Sequence, residues 1–280
     1  MKYHRDHPEI SLAGMGSTQF WGRDLEQTRN CLRTAVERYG ITLIDTAEMY
    51  DRGECEKSVA KALKGIDRDR YFLTGKVLPE NACAGKMEES LKRSLSNLDT
   101  DHFDLYLLHW RENADLQEFI DEAERFVKQG LIRHWGVSNF DVSDMEDLFQ
   151  CEGGCNCFAN QILYNLSSRG VEYDLIPWCK AHDVLIMAYS PLGNEILKRE
   201  AMTMDTNVRA IAERHHVSAE AVALSFVVRH NDLITVFKTS SHQHLVENMQ
   251  VLDFQLDDED MQLLEQSFPA PRKKESLKKI

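Results

Sequence analysis

Four side chains of the kind that move protons occur at corresponding places in three consecutive apolar segments. The segment DTAEMY, residues 45–50, carries Asp45 and Tyr50; TGK ends in Lys76; LYLLHW, residues 105–110, ends in His109 and Trp110. One at a time, each has an ordinary explanation. An aspartate at a strand end caps a turn, a loop tyrosine packs, a lysine reaches water and a histidine is satisfied in the core. Together they are a carboxylate, a phenol, an ammonium and an imidazole where buried strands end. Polar groups interrupting such strands cost several kcal/mol unless they pair with one another. A paired set of this composition suits general acid–base chemistry, or Schiff-base chemistry at the lysine.

The elements that must hold these groups alternate along the chain. Strands are expected at Leu12–Ser17, Thr42–Asp45, Tyr71–Gly75, Phe103–His109, His134–Val137, Phe158–Gln161, Leu185–Tyr189 and Thr235–Lys238. Most are apolar throughout, as strands buried on both faces are. The first helix shows one stripe through Leu25, Thr28, Cys31, Leu32, Ala35, Val36 and Tyr39, with Asp24 and Gln27 spaced as a capping box. Further stripes cover Cys55–Leu63, Met87–Leu98, Leu116–Val127, Leu175–His182, Val208–His215, Ala219–Val228, Leu245–Leu252 and Met261–Phe268.

Eight strand–helix units with right-handed crossovers predict an α/β fold, a closed (β/α)8 TIM barrel with additional helices near the C-terminus. One domain is expected over residues 1–280, with two helices in the long stretch before the last strand. The tail RKKESLKKI is expected to be solvated and frayed. In such a barrel chemistry belongs at the C-terminal strand ends. Asp45, Lys76 and His109 are placed at that rim, with Tyr50 in a loop beside them.

The 280 residues hold 33 Lys and Arg against 46 Asp and Glu, a net charge of −13. Such a surface repels phosphate backbones and anionic lipid, which argues against nucleic acid or a membrane as partner. Apolar runs such as ALSFVV at 223–228 fall far short of the ~20 residues that a spanning helix needs. The opening MKYHRDHPEI has no apolar stretch, so no signal peptide and a cytoplasmic protein are expected. A monomer with a small-molecule substrate is expected. Cys151, Cys155 and Cys157 offer only three soft ligands without C-x-x-C spacing, which predicts reduced thiols and no metal.

DTAEMY, TGK and LYLLHW are followed by GVSNF at 136–140, NQ at 160–161 and AYSPLG at 188–193. In this order they resemble the signature of the aldo-keto reductase family, over nearly the whole chain. RGVEYDLIPWC further resembles the small bacterial reductases of methylglyoxal and other simple aldehydes. The resemblance implies NADPH-dependent reduction of small aldehydes or ketones to alcohols. Tyr50 would be the general acid, Lys76 would lower its pKa, Asp45 would pair with Lys76, and His109 would orient the substrate oxygen.

The same resemblance implies a cofactor seat. Ser138, Asn139 and Gln161 would hold the nicotinamide carboxamide, and Tyr189 would stack beneath the ring. Ser17, Thr18, Ser190, Pro191, Leu192 and Gly193 would complete the seat, the last four along the pyrophosphate. Lys238, Thr239, Ser240 and His244 would meet the adenosine phosphate, with Glu247 and Asn248 at adenine. GMGSTQ lacks the last glycine of G-x-G-x-x-G and a helix start, so the nucleotide is not held in the Rossmann manner.

The chain departs from the family at three places. His244 stands where an arginine is usual, and Phe237 where a proline is. Lys238 favours NADP(H), but histidine lacks the planar fork of arginine, which leaves NADH as a weaker alternative. The preference is expected to weaken as pH rises through the histidine range. Ser17-Thr18-Gln19 replaces Gly-Thr-Trp, giving a pocket walled by Gln19, Trp21 and Trp110. A short tail suggests an open pocket for compact or varied aldehydes. The alternative from another class is a nucleotide-binding sensor or subunit with weak turnover; the complete set of four groups speaks against it.

Overall fold

Hydrogen bonding joins eight parallel strands in chain order, and the eighth returns to the first to close a barrel. A computed structural model describes residues 2–20, 25–193 and 196–279. The strands are β1 (Ala13–Gly16), β2 (Leu43–Asp45), β3 (Phe72–Val77), β4 (Phe103–Leu108), β5 (Ile132–Ser138), β6 (Ala159–Leu163), β7 (Leu185–Tyr189) and β8 (Leu233–Phe237). Around them lie α1 (Leu25–Glu37), α2 (Glu54–Leu63), α3 (Lys86–Leu98), α4 (Leu116–Gln129), α5 (Val142–Gln150) and α6 (Leu175–Ala181). They continue with α7 (Ile196–Thr203), α8 (Thr206–His215), α9 (Ala219–Val228), α10 (His242–Met249) and α11 (Asp258–Ser267). This is the (β/α)8 barrel with extra C-terminal helices that the alternation predicts.

The apolar residues sort into two layers. Thr28, Cys31, Leu32, Ala35 and Val36 of α1 are buried against the barrel, as their three-and-four spacing requires. Inside the barrel Leu43, Phe72, Leu105, Ala159, Leu185 and Ile234 pack with Ile10. Four of these open their strands, so the N-terminal end of the barrel is filled with apolar side chains. Ile10 reaches them because the leading segment folds back, pairing Tyr3 with Ser11 in antiparallel fashion. Gly136 lets β5 approach β6, since a Cβ there would stand 2.4 Å from the Ala159 carbonyl oxygen.

Three expectations need correction. Among the described residues the stretch before β8 holds three helices, α7, α8 and α9, rather than two. α5, absent from the stripes above, buries only Met145 and Leu148 in a segment rich in acid, too narrow a stripe to announce itself. A capping box of Asp141 and Asp144 starts it instead. The tail is docked rather than frayed: Lys274 Nζ lies 3.0 Å from Asp174 and 3.5 Å from Asp141. Leu277 packs against the core. Asp24 of the expected box on α1 lies outside the described residues.

No helix among the described residues is long and apolar enough to cross a membrane. The clustered thiols occupy different surroundings. Cys157 is buried and donates to the Ala159 carbonyl, Cys151 donates to Asp147, and Cys155 is exposed.

Candidate active site

The opposite, C-terminal end of the barrel is polar. Asp45 closes β2, Ser138 closes β5, Gln161 lies in the middle of β6, and Lys76 sits one residue inside the end of β3. Lys76 is therefore deeper than a rim position, 1% exposed. A buried ammonium must be paired. Its Nζ donates to Asp45 Oδ1 at 2.5 Å, to the Thr46 carbonyl at 3.0 Å and to the Tyr50 hydroxyl at 3.4 Å. The other Asp45 oxygen accepts from Gln161 Nε2 at 2.7 Å. Both carboxylate oxygens are thus occupied, and stripping one partner from a buried pair typically costs ~3–5 kcal/mol.

Tyr50 sits in the turn after β2, its N–H donating to the Ala47 carbonyl at 3.0 Å. Burial pushes its phenol above the ordinary value of 10, while the Lys76 ammonium draws it back down. The net direction is upward. The lowering expected from Lys76 is present, but loss of water outweighs it. Burial likewise opposes the charge on Lys76, but Asp45 and Tyr50 outweigh it and hold its pKa above 10.5. An ammonium so locked is a poor Schiff-base nucleophile, which must be neutral to attack.

His109 follows β4 directly, its N–H donating to the Val77 carbonyl at 2.9 Å. Its ring stands edge-on to Tyr50, centroids 5.9 Å apart, and tilts against Trp110 at 4.8 Å. Burial, helped by Lys76, pushes its pKa down to about 3, so the imidazole is neutral at any working pH. The Trp110 indole donates to Glu112 at 2.9 Å. Gln19 is exposed beyond β1, at φ 58°. Trp21, read as another wall, lies outside the described residues.

The residues expected to seat a nicotinamide join this set through hydrogen bonds. The Tyr189 hydroxyl donates to Asn139 Oδ1 at 2.7 Å, and Asn139 Nδ2 donates to Ser138 Oγ at 3.2 Å and to the His109 carbonyl at 3.1 Å. Ser138 Oγ donates to the Gln161 carbonyl at 2.8 Å. Asn139 adopts φ 62°, a left-handed conformation that asparagine tolerates better than most residues. A continuous chain thus runs from Tyr189 through Asn139, Ser138 and Gln161 to Asp45, Lys76 and Tyr50.

Further from the centre, Pro191 and Leu192 are buried after β7, Gly193 N donates to the Ser190 carbonyl at 2.9 Å, and Asn165 Nδ2 donates to that same carbonyl at 2.9 Å. After β8 come Lys238, half-buried, Thr239, buried, and Ser240, half-buried. Ser241 caps α10, its Oγ accepting from the His244 N–H at 3.3 Å. His244 is therefore exposed in the first turn of a helix, where anions are favoured. Glu247 accepts from Gln243 at 2.9 Å, and Asn248 is buried. A groove of about 390 Å³ between α1 and the start of α10 is lined by none of the four central groups.

Buried polar atoms without partners call for a ligand or water. Ser17 Oγ, His109 Nδ1 and Asn248 Oδ1 are such atoms among the described residues. They lie after β1, after β4 and on α10, where the resemblance places substrate and nucleotide; Thr18 is exposed beside Ser17. The residues present fit a bound nicotinamide nucleotide. Two contributors escape the sequence reading. Asn165 fixes the loop carrying Ser190, and Glu48, inside DTAEMY itself, carries a buried carboxylate whose only sequence signal is an acid within an apolar segment.

The family model for the aldo/keto reductase family matches residues 12–268. Methylglyoxal reductase YeaE of Escherichia coli (strain K12) is 41% identical over 273 residues, covering 96% of this chain and 95% of its own. An aldo-keto reductase from Klebsiella pneumoniae, solved in complex with NADPH, superposes with a TM-score of 0.95 at 35% identity and covers 100% of both chains. A Klebsiella pneumoniae aldo/keto reductase solved with NADP and acetate gives 0.93 at 37% identity, over 97% of this chain and 96% of its own.

Proposed function

The chain belongs to the aldo/keto reductase family, and from that premise we propose that Tyr50 protonates the carbonyl oxygen of small aldehydes during their NADPH-dependent reduction. It is an NAD(P)H-dependent oxidoreductase. Bound nicotinamide supplies the hydride. Ser138, Asn139 and Gln161 would hold its carboxamide and Tyr189 its ring face. Ser17, Thr18 and residues 190–193 would lie along the nucleotide, Lys238, Thr239, Ser240 and His244 at the adenosine phosphate, Glu247 and Asn248 at adenine.

The observation that carries the reading is the buried Asp45–Lys76–Tyr50 chain, with Lys76 Nζ 2.5 Å from Asp45 and 3.4 Å from the phenol. Because burial holds the phenol protonated at neutral pH, Tyr50 arrives as a proton donor. As the proton leaves, negative charge develops on the phenol oxygen next to a fixed ammonium, where it is stabilised without reorganisation. Asp45 keeps Lys76 charged and in place. Neutral His109 can hydrogen-bond the carbonyl oxygen without adding a charge, and its ring borders Tyr50 and Trp110.

The substrate pocket would have Trp110, whose ring tilts against His109, and Gln19, exposed beyond β1, as walls for compact carbonyl compounds. Methylglyoxal-type aldehydes suit it, in keeping with the relative named above. The test is a panel of small aldehydes with NADPH or NADH, followed by loss of reduced-nicotinamide absorbance. Saturable oxidation dependent on aldehyde is expected. Stoichiometric nucleotide binding with no aldehyde-dependent turnover would favour a sensor instead.

A further inference from the structure

We propose that Glu48 is the positioning residue that sets the contact between Tyr50 and Lys76, an inference that rests on Tyr50 as proton donor. Its side chain is 3% exposed and its carboxylate has no role in the chain of bonds described above. Oε1 accepts from the Leu78 N–H at 2.7 Å and from Asn81 Nδ2 at 3.0 Å. Oε2 accepts from Arg93 Nη2 at 2.6 Å, and that guanidinium also reaches Ser90 Oγ at 2.9 Å. The Glu48 backbone N–H adds a bond of 3.3 Å to the Lys76 carbonyl.

These bonds fasten the turn that carries Tyr50 to the end of β3 on both sides of Val77. Val77 in turn accepts the His109 N–H at 2.9 Å. One carboxylate, anchored to α3 by Arg93, thus holds the turn that carries Tyr50 against the end of β3, the strand that bears Lys76 and pairs with the His109 backbone. The phenol is 3.4 Å from the ammonium, at the long end of hydrogen bonding, where a small shift of either backbone breaks the contact. Misplacement by about 1 Å can cost on the order of 100-fold in rate.

The experiment compares Glu48→Ala, Glu48→Gln and Arg93→Met with wild type and Tyr50→Phe, using the full chain, methylglyoxal and NADPH. Active molecules are counted by NADPH binding. For Glu48→Ala the expected kcat per binding site falls at least about tenfold, with NADPH affinity within about twofold of wild type. The alkaline decline of reduction moves to higher pH, because a phenol drawn away from the ammonium is harder to ionise. Glu48→Gln keeps an acceptor for Leu78 and Asn81 and recovers most of kcat. Arg93→Met loosens the same clamp from its solvent side, shows the same displacement in smaller measure, and carries the test if Glu48→Ala does not fold. An unmoved alkaline limb in folded Glu48→Ala and Arg93→Met overturns the proposal, whether or not kcat drops, since a merely structural role lowers activity equally at every pH. Turnover surviving in Tyr50→Phe would instead overturn the assignment of the proton donor.

Discussion

Lys76 Nζ stands 3.4 Å from the Tyr50 hydroxyl and 2.5 Å from Asp45, so one buried ammonium bridges the carboxylate and the phenol. Such a pair would let the phenol lose a proton during turnover yet hold it between turnovers. Burial dominates while the phenol is neutral and the ammonium acts as charge appears.

A pH dependence follows with a definite sign. If Tyr50 is the proton donor, reduction requires its protonated form, and because its pKa is raised kcat should be level through neutral pH and fall only as pH rises past about 10, the ordinary phenol value. Alcohol oxidation requires the deprotonated form and should rise over the same range. In Lys76→Met the limb should move further up while kcat drops by about 10²–10⁴, the usual range for general acid–base catalysis. Asp45→Asn should lose less. A reductive limb centred near neutrality, read from kcat against pH, contradicts the arrangement.

Acid stability depends on histidines held neutral. Burial depresses the pKa of His4, His134 and His230, and takes His109 to about 3. Their unfolded forms bind protons first as pH falls below the ordinary ~6.5, so the folded state loses stability from that point downward. Chemical denaturation at pH 7.5 and 5 should show a lower midpoint at pH 5. Replacing His109 with glutamine, which does not titrate, should flatten part of that dependence.

Nucleotide selection is expected to rest on Lys238 with His244. The NADPH to NADH ratio of kcat/KM should exceed one, because a 2′-phosphate attracts the Lys238 ammonium in a charge-assisted contact. Such a contact is worth ~1.5–3 kcal/mol, roughly ten to a hundredfold. His244→Arg, which supplies the planar fork that grips a phosphate, should widen the ratio. A ratio unchanged by His244→Arg would leave Lys238 as the selecting charge.

Much of this was legible in the sequence because strand period and strand ends coincide with function. Eight apolar runs placed the barrel, and polar residues closing them marked Asp45, Lys76 and His109. Boundaries were less legible: β3 runs on to Val77, which buries Lys76 instead of leaving it at the rim. α5 buries only Met145 and Leu148, too few apolar residues to give a stripe. The direction of the Tyr50 shift depended on how much water the barrel mouth excludes, which no single residue type declares. Glu48 acts through Leu78, Asn81 and Arg93, partners 30, 33 and 45 residues away in the chain. Contacts of that range exist only once the turn after β2 lies against β3 and α3.

The central claim is that Tyr50 delivers the proton, and Tyr50→Phe tests it most directly. The substitution removes one oxygen and keeps the ring against His109, so the fold and NADPH binding should persist. With NADPH already bound, a single turnover of methylglyoxal should slow by at least about 10²–10⁴. NADPH affinity should stay near that of the wild type. A variant that binds NADPH normally and reduces methylglyoxal at close to the wild-type rate would contradict the account.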